Sequence, residues 1–359
     1  MNMKSDNIPA DVSGTLAGLF RERVRRSPDK VAYRQFDADS KQWCDTTWSE
    51  MATEVARWQD ALATEGLQHG DRVAVLLRNC KEWVTFDQAA LGRGLVVVPL
   101  YTDDRPESAA YILNHSGAKV LLLQGEDQWQ GLLTVRDQLD GLVRIISLEP
   151  VTVPDEETRV RTLAEWLPET GGELHTEDGE SGELATIVYT SGTTGRPKGV
   201  MLSHWNILFD SDSALDIVQM YADDLLISFL PLSHTFERTV GYYIPMKMGS
   251  TVAYARSIPL LGEDLLTIRP TILVSVPRIY ERVYNKIQAG LAEKSPIATK
   301  LFNLAVAVGW QRFEHRQGRA GWSPSFLLWP LLNKLVASKI MAKLGGRMRV
   351  AASGGAPLP

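Results

Sequence analysis

The sequence predicts an α/β protein in which strands alternate with helices. Three short, continuous apolar runs, at 72–77, 96–100 and 119–123, have the length and composition of buried strands. Apolar residues at helical spacing fill the stretches between them, at 81–92 and 105–115. Strands that alternate with helices through short connections form a parallel sheet that helices cover, so we expect this arrangement here.

The pattern occurs twice along the chain. A polar tail covers 1–12, and a first helix at 15–27 places Leu16, Leu19, Phe20 and Val24 at helical spacing. The stretch 168–182 is rich in Gly, Glu and Asp and is an exposed connection. After it come a helix at 206–220 and strands at 185–189, 225–230, 251–254, 271–276 and 348–352. We therefore expect two similar sheet-and-helix subdomains, 13–180 and 181–359.

A helical segment at about 291–344 interrupts the second subdomain. Ser295 and Pro296 form a favourable helix start, with serine at the cap and proline in the first turn. An apolar stripe and three tryptophans follow: Ile297, Leu301, Leu304, Val308, Trp310, Trp322 and Trp329. We interpret the segment as buried helical packing, with a contact to a membrane surface or a second copy as the alternative.

Composition limits the classes of function. The chain has 359 residues with 38 basic and 43 acidic side chains, and no basic run, which argues against a nucleic-acid partner. Cys44 and Cys80 are too few for a metal cluster or a disulfide framework, so a reducing, cytoplasmic compartment is the simplest interpretation. The N-terminus lacks a signal-peptide core, and the apolar stretch 326–332 is too short to span a bilayer.

The loop at 190–199 carries the strongest chemical signal. It directly follows the apolar run 187–189 and combines hydroxyls, glycines and one lysine, groups that suit the oxygens of a polyphosphate. The predicted phosphate ligands are Thr190, Ser191, Gly192, Thr193, Thr194, Gly195 and Lys198. Pro197 and Gly199 flank the lysine, so the loop matches neither the Walker A pattern nor the dinucleotide-binding glycine pattern.

The run 189–204, YTSGTTGRPKGVMLSH, resembles the signature of the AMP-binding, adenylate-forming enzymes: acyl-CoA synthetases, luciferases and peptide-synthetase adenylation domains. Further segments of this family resemble 46–51, 90–101, 230–238 and 353–358, in the same order. The elements HTFER at 234–238 and VPRIYERVY at 276–284 are similar to those of long-chain fatty-acid–CoA ligases. The resemblance runs from about residue 13 to the end of the chain and implies the large N-terminal domain of that family.

The resemblance implies a reaction in two steps. A long-chain fatty acid would attack ATP to give an acyl-adenylate and pyrophosphate, and coenzyme A would then take the acyl group and release AMP. It implies catalytic roles for Lys198 and His234, a place for Thr190 beside Mg²⁺, and an acyl entrance shaped by Phe236. It also implies that an adenine-lining segment is formed by Gly354, Gly355, Ala356 and Pro357.

Other polar residues in these motifs have simpler interpretations. Glu237 and Arg238 either shape the acyl entrance or form a surface ion pair. The arrangement of Arg278, Glu281 and Arg282 indicates a helix held by ion pairs. We expect His204 and Asn206 to fix the start of the helix behind the loop. The remaining histidines are interpreted as ordinary surface or packing residues: His69, His115, His175 and His315.

The family pattern continues beyond the motif at 353–358, with a Tyr-Gly-x-Thr-Glu element, a ribose-binding aspartate, a hinge and a small domain that carries the adenylation lysine. The chain contains none of these, so we expect the N-terminal part of a ligase whose second subdomain is incomplete. A fatty acyl-AMP ligase that supplies a carrier protein, and a non-catalytic nucleotide- or lipid-binding protein, are the alternatives. Peripheral contact with the inner face of a membrane and a homodimer both stay open.

Overall fold

The computed structural model describes residues 6–177, 179–190, 196–293 and 295–358. The chain forms two compact units. The first comprises Met1–Asp224 and Ser228–Ala255, and the second comprises Leu225–Ile227 and Arg256–Pro359. The division of the sequence into 13–180 and 181–359 stays a prediction, and the two units are described separately below.

The first unit begins with two helices, a strand hairpin and a long helix. These elements are α1 (Ala10–Ser13), α2 (Leu16–Arg26), β1 (Val31–Asp37), β2 (Gln42–Thr47) and α3 (Trp48–Ala63). The side chain of Thr15 caps α2 by accepting from the amide of Gly18, and Thr47 forms a capping box with Glu50 at the start of α3. Within the segment assigned to a polar tail, Ile8 is fully buried.

A seven-stranded sheet follows, in the order β7-β6-β5-β3-β4-β8-β9. The elements that build it are β3 (Arg72–Leu76), α4 (Lys81–Gly92), β4 (Val96–Pro99), α5 (Pro106–Ser116), β5 (Ala118–Leu123), α6 (Glu126–Leu133), β6 (Arg144–Ser147), β7 (Val160–Thr162), α7 (Leu163–Trp166), β8 (Leu184–Thr190) and β9 (Lys198–Ser203). Neighbouring strands from β7 to β8 run parallel, as predicted from the alternation of strands and helices.

The last strand of this sheet departs from the prediction. β9 is antiparallel to β8, so the two strands form a hairpin at this edge of the sheet. Helices cover the sheet, and the apolar side chains of β3, β4 and β5 form a core with residues of α5 and α6, including Trp129. The predicted strands and helices of this region are confirmed to within about two residues at each end.

The remaining elements of the chain are α8 (His204–Ile217), β10 (Leu225–Ser228), α9 (Thr235–Glu237), α10 (Ile244–Met248), β11 (Thr251–Tyr254), α11 (Leu261–Ile268), β12 (Ile272–Ser275), α12 (Pro277–Ala292), α13 (Pro296–Arg316), α14 (Trp329–Leu332), α15 (Ser338–Lys343) and β13 (Val350–Ser353). A π-helical turn, Arg238–Tyr243, joins α9 to α10. In the first unit β11 pairs in parallel with β1, and in the second unit β12 lies parallel to both β10 and β13.

The helical segment of the second unit corrects two predictions. It has only a small core, formed by Ala305, Val308, Phe326 and Leu332, while Trp310 and Trp322 are about 60% exposed (61% and 60%). The interpretation as buried packing is therefore wrong for most of this segment, because too few elements of the unit cover its apolar side chains. Arg278, Glu281 and Arg282 are exposed and form no ion pair within the described part of the chain, so α12 is not held by ion pairs.

Two further expectations concern the whole chain. Cys44 and Cys80 are free thiols, as their separation in the sequence predicts. Among the described residues, no helix has both the length and the apolar character needed to cross a bilayer.

Candidate active site

The base of the predicted phosphate loop is the end of the β8–β9 hairpin. Thr190 and Lys198 are paired directly across the two strands, and both are exposed. Five of the predicted phosphate ligands, Ser191, Gly192, Thr193, Thr194 and Gly195, lie outside the described residues, so their contacts stay predictions. The structure therefore places a hydroxyl and a lysine opposite each other at the two ends of the segment 191–197.

Gly199 allows the two strands to approach closely beside the loop. A Cβ atom at this position would lie 2.7 Å from Cγ2 of Ile187 and 3.1 Å from Cζ of Tyr189. Both distances are shorter than normal van der Waals contacts. The glycine after Lys198 is therefore needed for strand pairing rather than for an unusual backbone angle.

Helix α5 contacts the chain on both sides of the loop. His115 Nδ1 lies 2.7 Å from the hydroxyl of Tyr189, which immediately precedes Thr190. The ring of Tyr111, one turn earlier, stacks on His115 with centroids 5.3 Å apart. The guanidinium of Arg196 lies 5.6 Å from the centroid of Tyr111. His115 was interpreted from the sequence as an ordinary surface or packing residue. In the structure it contacts Tyr189, next to the base of the loop.

His234 caps the short helix α9. Its Nδ1 atom accepts a hydrogen bond from the amide of Phe236 at 3.1 Å, and its own amide donates to the carbonyl of Pro231 at 2.9 Å. With Nδ1 acting as acceptor, the neutral ring carries its proton on Nε2. Because the side chain is exposed, this Nε2–H group is an available donor. Phe236 is half-buried beside it.

Asn79 holds the segment that leads to His234, a role that was not predicted from the sequence. Its amide nitrogen donates to Ser228 Oγ at 2.8 Å and to the carbonyl of Leu230 at 2.6 Å. Its amide oxygen accepts from the amide of Leu232 at 2.9 Å. The signal was available: Asn79 is a polar residue just beyond the carboxyl end of a buried strand, where parallel sheets place their functional groups.

Arg238 and Glu237 are both about 2% exposed, so the interpretation as a surface ion pair is wrong. Arg238 forms a buried ion pair with Asp87 of α4 instead. The hydroxyls of Tyr242 and Tyr243 donate to the second oxygen of Asp87 at 3.0 and 2.9 Å. Both oxygens of the buried Asp87 carboxylate accept hydrogen bonds, and both Nη atoms of Arg238 donate, whereas the Nε atom of Arg238 has no acceptor among the described residues. Such partners offset the cost of burying the two charges.

Burial also changes the protonation of this region. Desolvation raises the pKa of Glu237 to about 8. The hydroxyl of Ser228 donates a hydrogen bond to Glu237 at 2.7 Å, which lowers this pKa but has the smaller effect. Glu237 is therefore predominantly protonated at neutral pH. Burial disfavours the charge on Arg238, but Asp87 and the tyrosines outweigh it, so the pKa of Arg238 is raised.

The buried arginine connects the two exposed parts of the site. Its Nη1 atom donates to Oγ1 of Thr186 on β8 at 2.7 Å. A small cleft separates α9 and the π-helical turn from the strand pair, and its lining includes Thr186, Val188, Leu202, Thr235 and Thr239. The segment that presents His234 is thus fixed to the strand that ends at Thr190.

Asn206 acts at the start of α8, as predicted, whereas the side chain of His204 binds the start of a different helix. Asn206 forms a capping box with Ser203. His204 is buried, and its Nδ1 atom accepts from the amide of Leu16, the first residue of α2, at 3.2 Å. Burial lowers the pKa of His204 to about 4, so its ring is neutral at physiological pH and serves as an acceptor between two helices.

The predicted adenine-lining segment belongs to the second unit. Gly354 directly follows β13 and donates from its amide to the carbonyl of Ser275 at 3.1 Å. Gly355 has φ of +77°, a left-handed conformation that glycine adopts without strain. Gly355, Ala356 and Pro357 are exposed, and their contact with adenine stays a prediction.

Comparison with known proteins identifies this arrangement. The model of the AMP-binding enzyme family matches residues 20–359. The inhibitor-bound N-terminal domain of FACL13 from Mycobacterium tuberculosis shares the fold, with a TM-score of 0.67 over 96% of this chain and 71% of that chain, at 22% identity. Fold and hairpin loop together define the N-terminal domain of an adenylate-forming enzyme, and the chain belongs to the AMP-binding enzyme family.

Curated relatives point to one branch of this family. Fatty acyl-CoA synthetase A of Dictyostelium discoideum is 30% identical over 99% of this chain and 53% of that protein. Long-chain-fatty-acid–CoA ligase FadD15 of Mycobacterium bovis is 29% identical over 99% of this chain and 59% of that protein. The chain thus spans between half and three fifths of the length of these relatives. The sequence-based resemblance to long-chain acyl-CoA synthetases is confirmed.

Proposed function

We propose that the chain carries the nucleotide- and acyl-binding part of a long-chain fatty-acid–CoA ligase. The reaction is the ATP-dependent conversion of a fatty acid to its acyl-adenylate, with release of pyrophosphate, followed by transfer to coenzyme A with release of AMP. The observation that carries the proposal is the hairpin pairing of Thr190 with Lys198, joined through Arg238 to the segment that exposes His234. The names of the two relatives support the substrate class.

Lys198 and Thr190 act on the leaving pyrophosphate in this proposal. Attack of a carboxylate on the α-phosphate needs alignment of the reactants and neutralisation of charge more than covalent help from the protein. An exposed ammonium and an exposed hydroxyl at the base of the loop supply these, together with the predicted ligands at 191–195. An ATP-bound structure of MatB from Rhodopseudomonas palustris, 27% identical with a TM-score of 0.61 over 74% of this chain and 50% of that chain, supports ATP as the nucleotide.

His234 acts as a positioned hydrogen-bond donor in this proposal. The amide of Phe236 occupies Nδ1, so the Nε2–H group is directed to an incoming oxygen, either of the α-phosphate or of the acyl carboxylate. Because Asn79 and the π-helical turn hold the backbone on both sides, the ring needs little rearrangement to donate. Phe236 supplies apolar surface next to it for the start of the acyl chain.

The residues of the site suit a magnesium ion that arrives with the nucleotide. The described part of the chain contains no group of three or more His, Cys, Asp or Glu side chains able to hold a metal. Magnesium typically retains several waters and binds through substrate phosphates with few protein ligands, and the Thr190 hydroxyl fits such a minor role. A bound magnesium ion would supply neutralisation of phosphate charge, with Thr190 as its protein contact.

Equilibrium binding of labelled ATP and of labelled palmitate tests the proposal on the 359-residue chain, because binding does not need the adenylation lysine of the family's C-terminal domain. With magnesium present we expect both ligands to bind saturably, and Lys198→Ala to weaken ATP binding by about tenfold or more while palmitate binding is unchanged, as for loss of one charge-assisted contact. Lys30→Ala, which removes an exposed lysine outside the site, should leave both affinities unchanged. Absent binding of either ligand, or equal ATP affinity in Lys198→Ala and the wild type, would contradict the proposal.

A further inference from the structure

Glu237 is a buried carboxyl group that forms no ion pair within the described part of the chain. Its Oε1 atom accepts a hydrogen bond from the hydroxyl of Ser228 at 2.7 Å. The neighbouring guanidinium of Arg238 is directed to Asp87 and Thr186 instead. Of these two buried acids, Asp87 therefore has a cation that stabilises a negative charge, whereas Glu237 does not.

The π-helical turn packs directly on the carboxyl group of Glu237. A Cβ atom at Gly241 would lie 2.3 Å from Oε1 and 2.6 Å from Cδ of Glu237, distances that no side chain tolerates. Gly241 is itself buried, so this side of the carboxyl group has no room for a counter-ion or a hydration shell. Such an environment suits a neutral carboxylic acid and opposes a carboxylate.

A chain of hydrogen bonds joins this carboxyl group to the segment that presents His234. Nδ2 of Asn79 donates to Oγ of Ser228 at 2.8 Å, and the single hydroxyl proton of Ser228 is donated onward to Glu237. His234 caps α9 and Glu237 is its last residue, three positions later. Residues at this spacing are neighbours on a helix, with Cβ atoms about 5–6 Å apart. The buried carboxyl group therefore lies close behind the exposed imidazole.

The other titratable groups of this region do not offset a charge on Glu237. Arg238 carries the positive charge nearest in the sequence, and Asp87 of α4 binds it. Burial raises the pKa of the Tyr254 phenol on β11, and Glu237 is among the groups that raise it further. The others that do so are neutral or acidic as well: Tyr33 of β1, and Cys80 and Glu82 at the start of α4.

We propose that the site at His234 accepts anions because the carboxyl group behind it is kept neutral, which makes Glu237 a specificity-determining residue that acts through its charge without touching the ligand. The inference rests on the proposed function, in which both possible ligands of His234, the α-phosphate and the acyl carboxylate, are anions. A negative charge on Glu237 would repel either of them, since charges interact strongly where water is excluded. Ionisation of Glu237 therefore competes with anion binding.

Equilibrium binding at several pH values tests this role on the 359-residue chain. The probes are magnesium–ATP and decanoate, a fatty carboxylate that stays dissolved and ionised over the range used. The pKa of Glu237 is about 8, so its neutral fraction falls from about nine tenths at about pH 7 to about one tenth at about pH 9. We expect the affinity for at least one probe to fall by about two- to tenfold over this range, as measured by isothermal titration.

Two variants separate the charge of Glu237 from a structural role. Glu237→Gln keeps an acceptor for Ser228 and never ionises, so its affinity at about pH 7 should stay within about twofold of the wild type and should not fall toward pH 9. Ser228→Ala removes the hydrogen bond that lowers the pKa of Glu237, so the fall should move to higher pH. Glu156→Gln, which neutralises an exposed carboxylate of the first unit, is the control and should retain the wild-type fall. Circular dichroism at each pH checks that the variants are folded.

Two results would overturn the inference and leave the proposed function intact. The first is saturable binding of both probes whose affinities stay within about twofold from pH 7 to pH 9. The second is a fall in affinity of equal size in Glu237→Gln and the wild type, which would assign the pH dependence to another group. Absent binding of both probes at about pH 7 would contradict the proposed function, and with it this inference.

Discussion

The two units treat the same residue type in opposite ways. The first unit buries Trp48, Trp58, Trp83 and Trp129 almost completely, each at 2% exposure or less. The second unit leaves Trp310 and Trp322 about 60% exposed (61% and 60%). Apolar spacing predicted helices in both units, but spacing alone does not say whether the unit contains enough other elements to cover the helix. The same apolar spacing therefore corresponds to a buried face in one unit and to an exposed face in the other.

Charge follows the same division. In the first unit Arg238 is buried and contacts Asp87, Thr186 and the ring of Trp83, whose centroid lies 5.1 Å from the guanidinium carbon. In the helical segment of the second unit, Lys334, Lys339 and Lys343 are exposed. Buried charges organise a site inside the fold, whereas exposed charges of one sign attract an oppositely charged surface.

The largest expected effect is on the buried pair of the first unit. Arg238→Met leaves the carboxylate of Asp87 buried without its ion-pair partner, and we expect the free energy of unfolding to fall by about 3–5 kcal/mol. The double variant Arg238→Met with Asp87→Leu should be less destabilised, because both charges are removed. Urea unfolding measures both. Arg282→Met of the second unit, exposed and without an ion pair, is the control and should change stability by less than about 0.5 kcal/mol. A loss below about 1 kcal/mol in Arg238→Met would contradict the comparison.

Tryptophan truncation compares the two units directly. Trp129→Ala removes a side chain that is 1% exposed and that donates from Nε1 to the carbonyl of Thr152 at 2.9 Å. We expect a loss of about 3–5 kcal/mol for this variant. Trp322→Ala should cost less than about 1 kcal/mol, since most of its surface is already in water. Equal losses in chemical denaturation would mean that the apolar side chains of 296–343 are covered within the chain.

His204 gives the first unit a pH dependence. Its pKa of about 4 lies below the ordinary value of 6.5, so between these values the unfolded state binds a proton that the folded state excludes. The contribution of His204 to the free energy of unfolding is therefore fully present above about pH 6.5. It decreases as the pH falls toward 4, by at most about 3 kcal/mol. His204→Asn, which keeps a hydrogen-bond acceptor, should lose this slope, whereas His315→Asn on the exposed end of α13 should retain it. Parallel slopes for wild type and His204→Asn, from urea unfolding at several pH values, would refute this assignment.

Helix caps supply the smallest effects. Thr47 and Ser203 accept from backbone amides inside capping boxes of the first unit, so alanine at either position should cost about 1 kcal/mol. Ser295 precedes α13 in the second unit without such a hydrogen bond, and Ser295→Ala should be neutral within about 0.5 kcal/mol. Thermal unfolding resolves the difference, and a comparable loss at Ser295 would show that the cap predicted from the sequence does form in solution.

The sequence predicted the elements of the fold because their signals are local. Helix α4 begins and ends where the apolar spacing places it, at Lys81 and Gly92. The hairpin at β9 was not predicted, since nothing in 198–203 distinguishes an antiparallel partner from a separate strand. The exposure of the apolar side chains at 296–343 was not predicted either. The spacing of apolar residues in the sequence is the same whether or not another element covers the helix.

Sequence motifs alone single out the candidate site residues. Thr190, Lys198 and His234 stand in such motifs, and their roles stay predictions, whereas Asp87 and Asn79, which hold neighbouring segments, have no such signal. Asp87 and Arg238 are 151 residues apart in the chain, and no local pattern links an acid inside an apolar helix to an arginine in a distant π-helical turn. Asn79 acts at a similar sequence distance, with 151 residues between it and Leu230. Long-range hydrogen bonds of this kind become visible only when the fold is known.

The central claim is that the hairpin of the first unit binds ATP. Isothermal titration of the 359-residue chain with magnesium and ATP measures this without requiring turnover. We predict saturable binding that Lys198→Ala weakens by about tenfold or more, as expected for loss of a charge-assisted contact, and that Lys30→Ala does not change. Absent binding, or binding of equal affinity in the wild type and Lys198→Ala, would contradict the account.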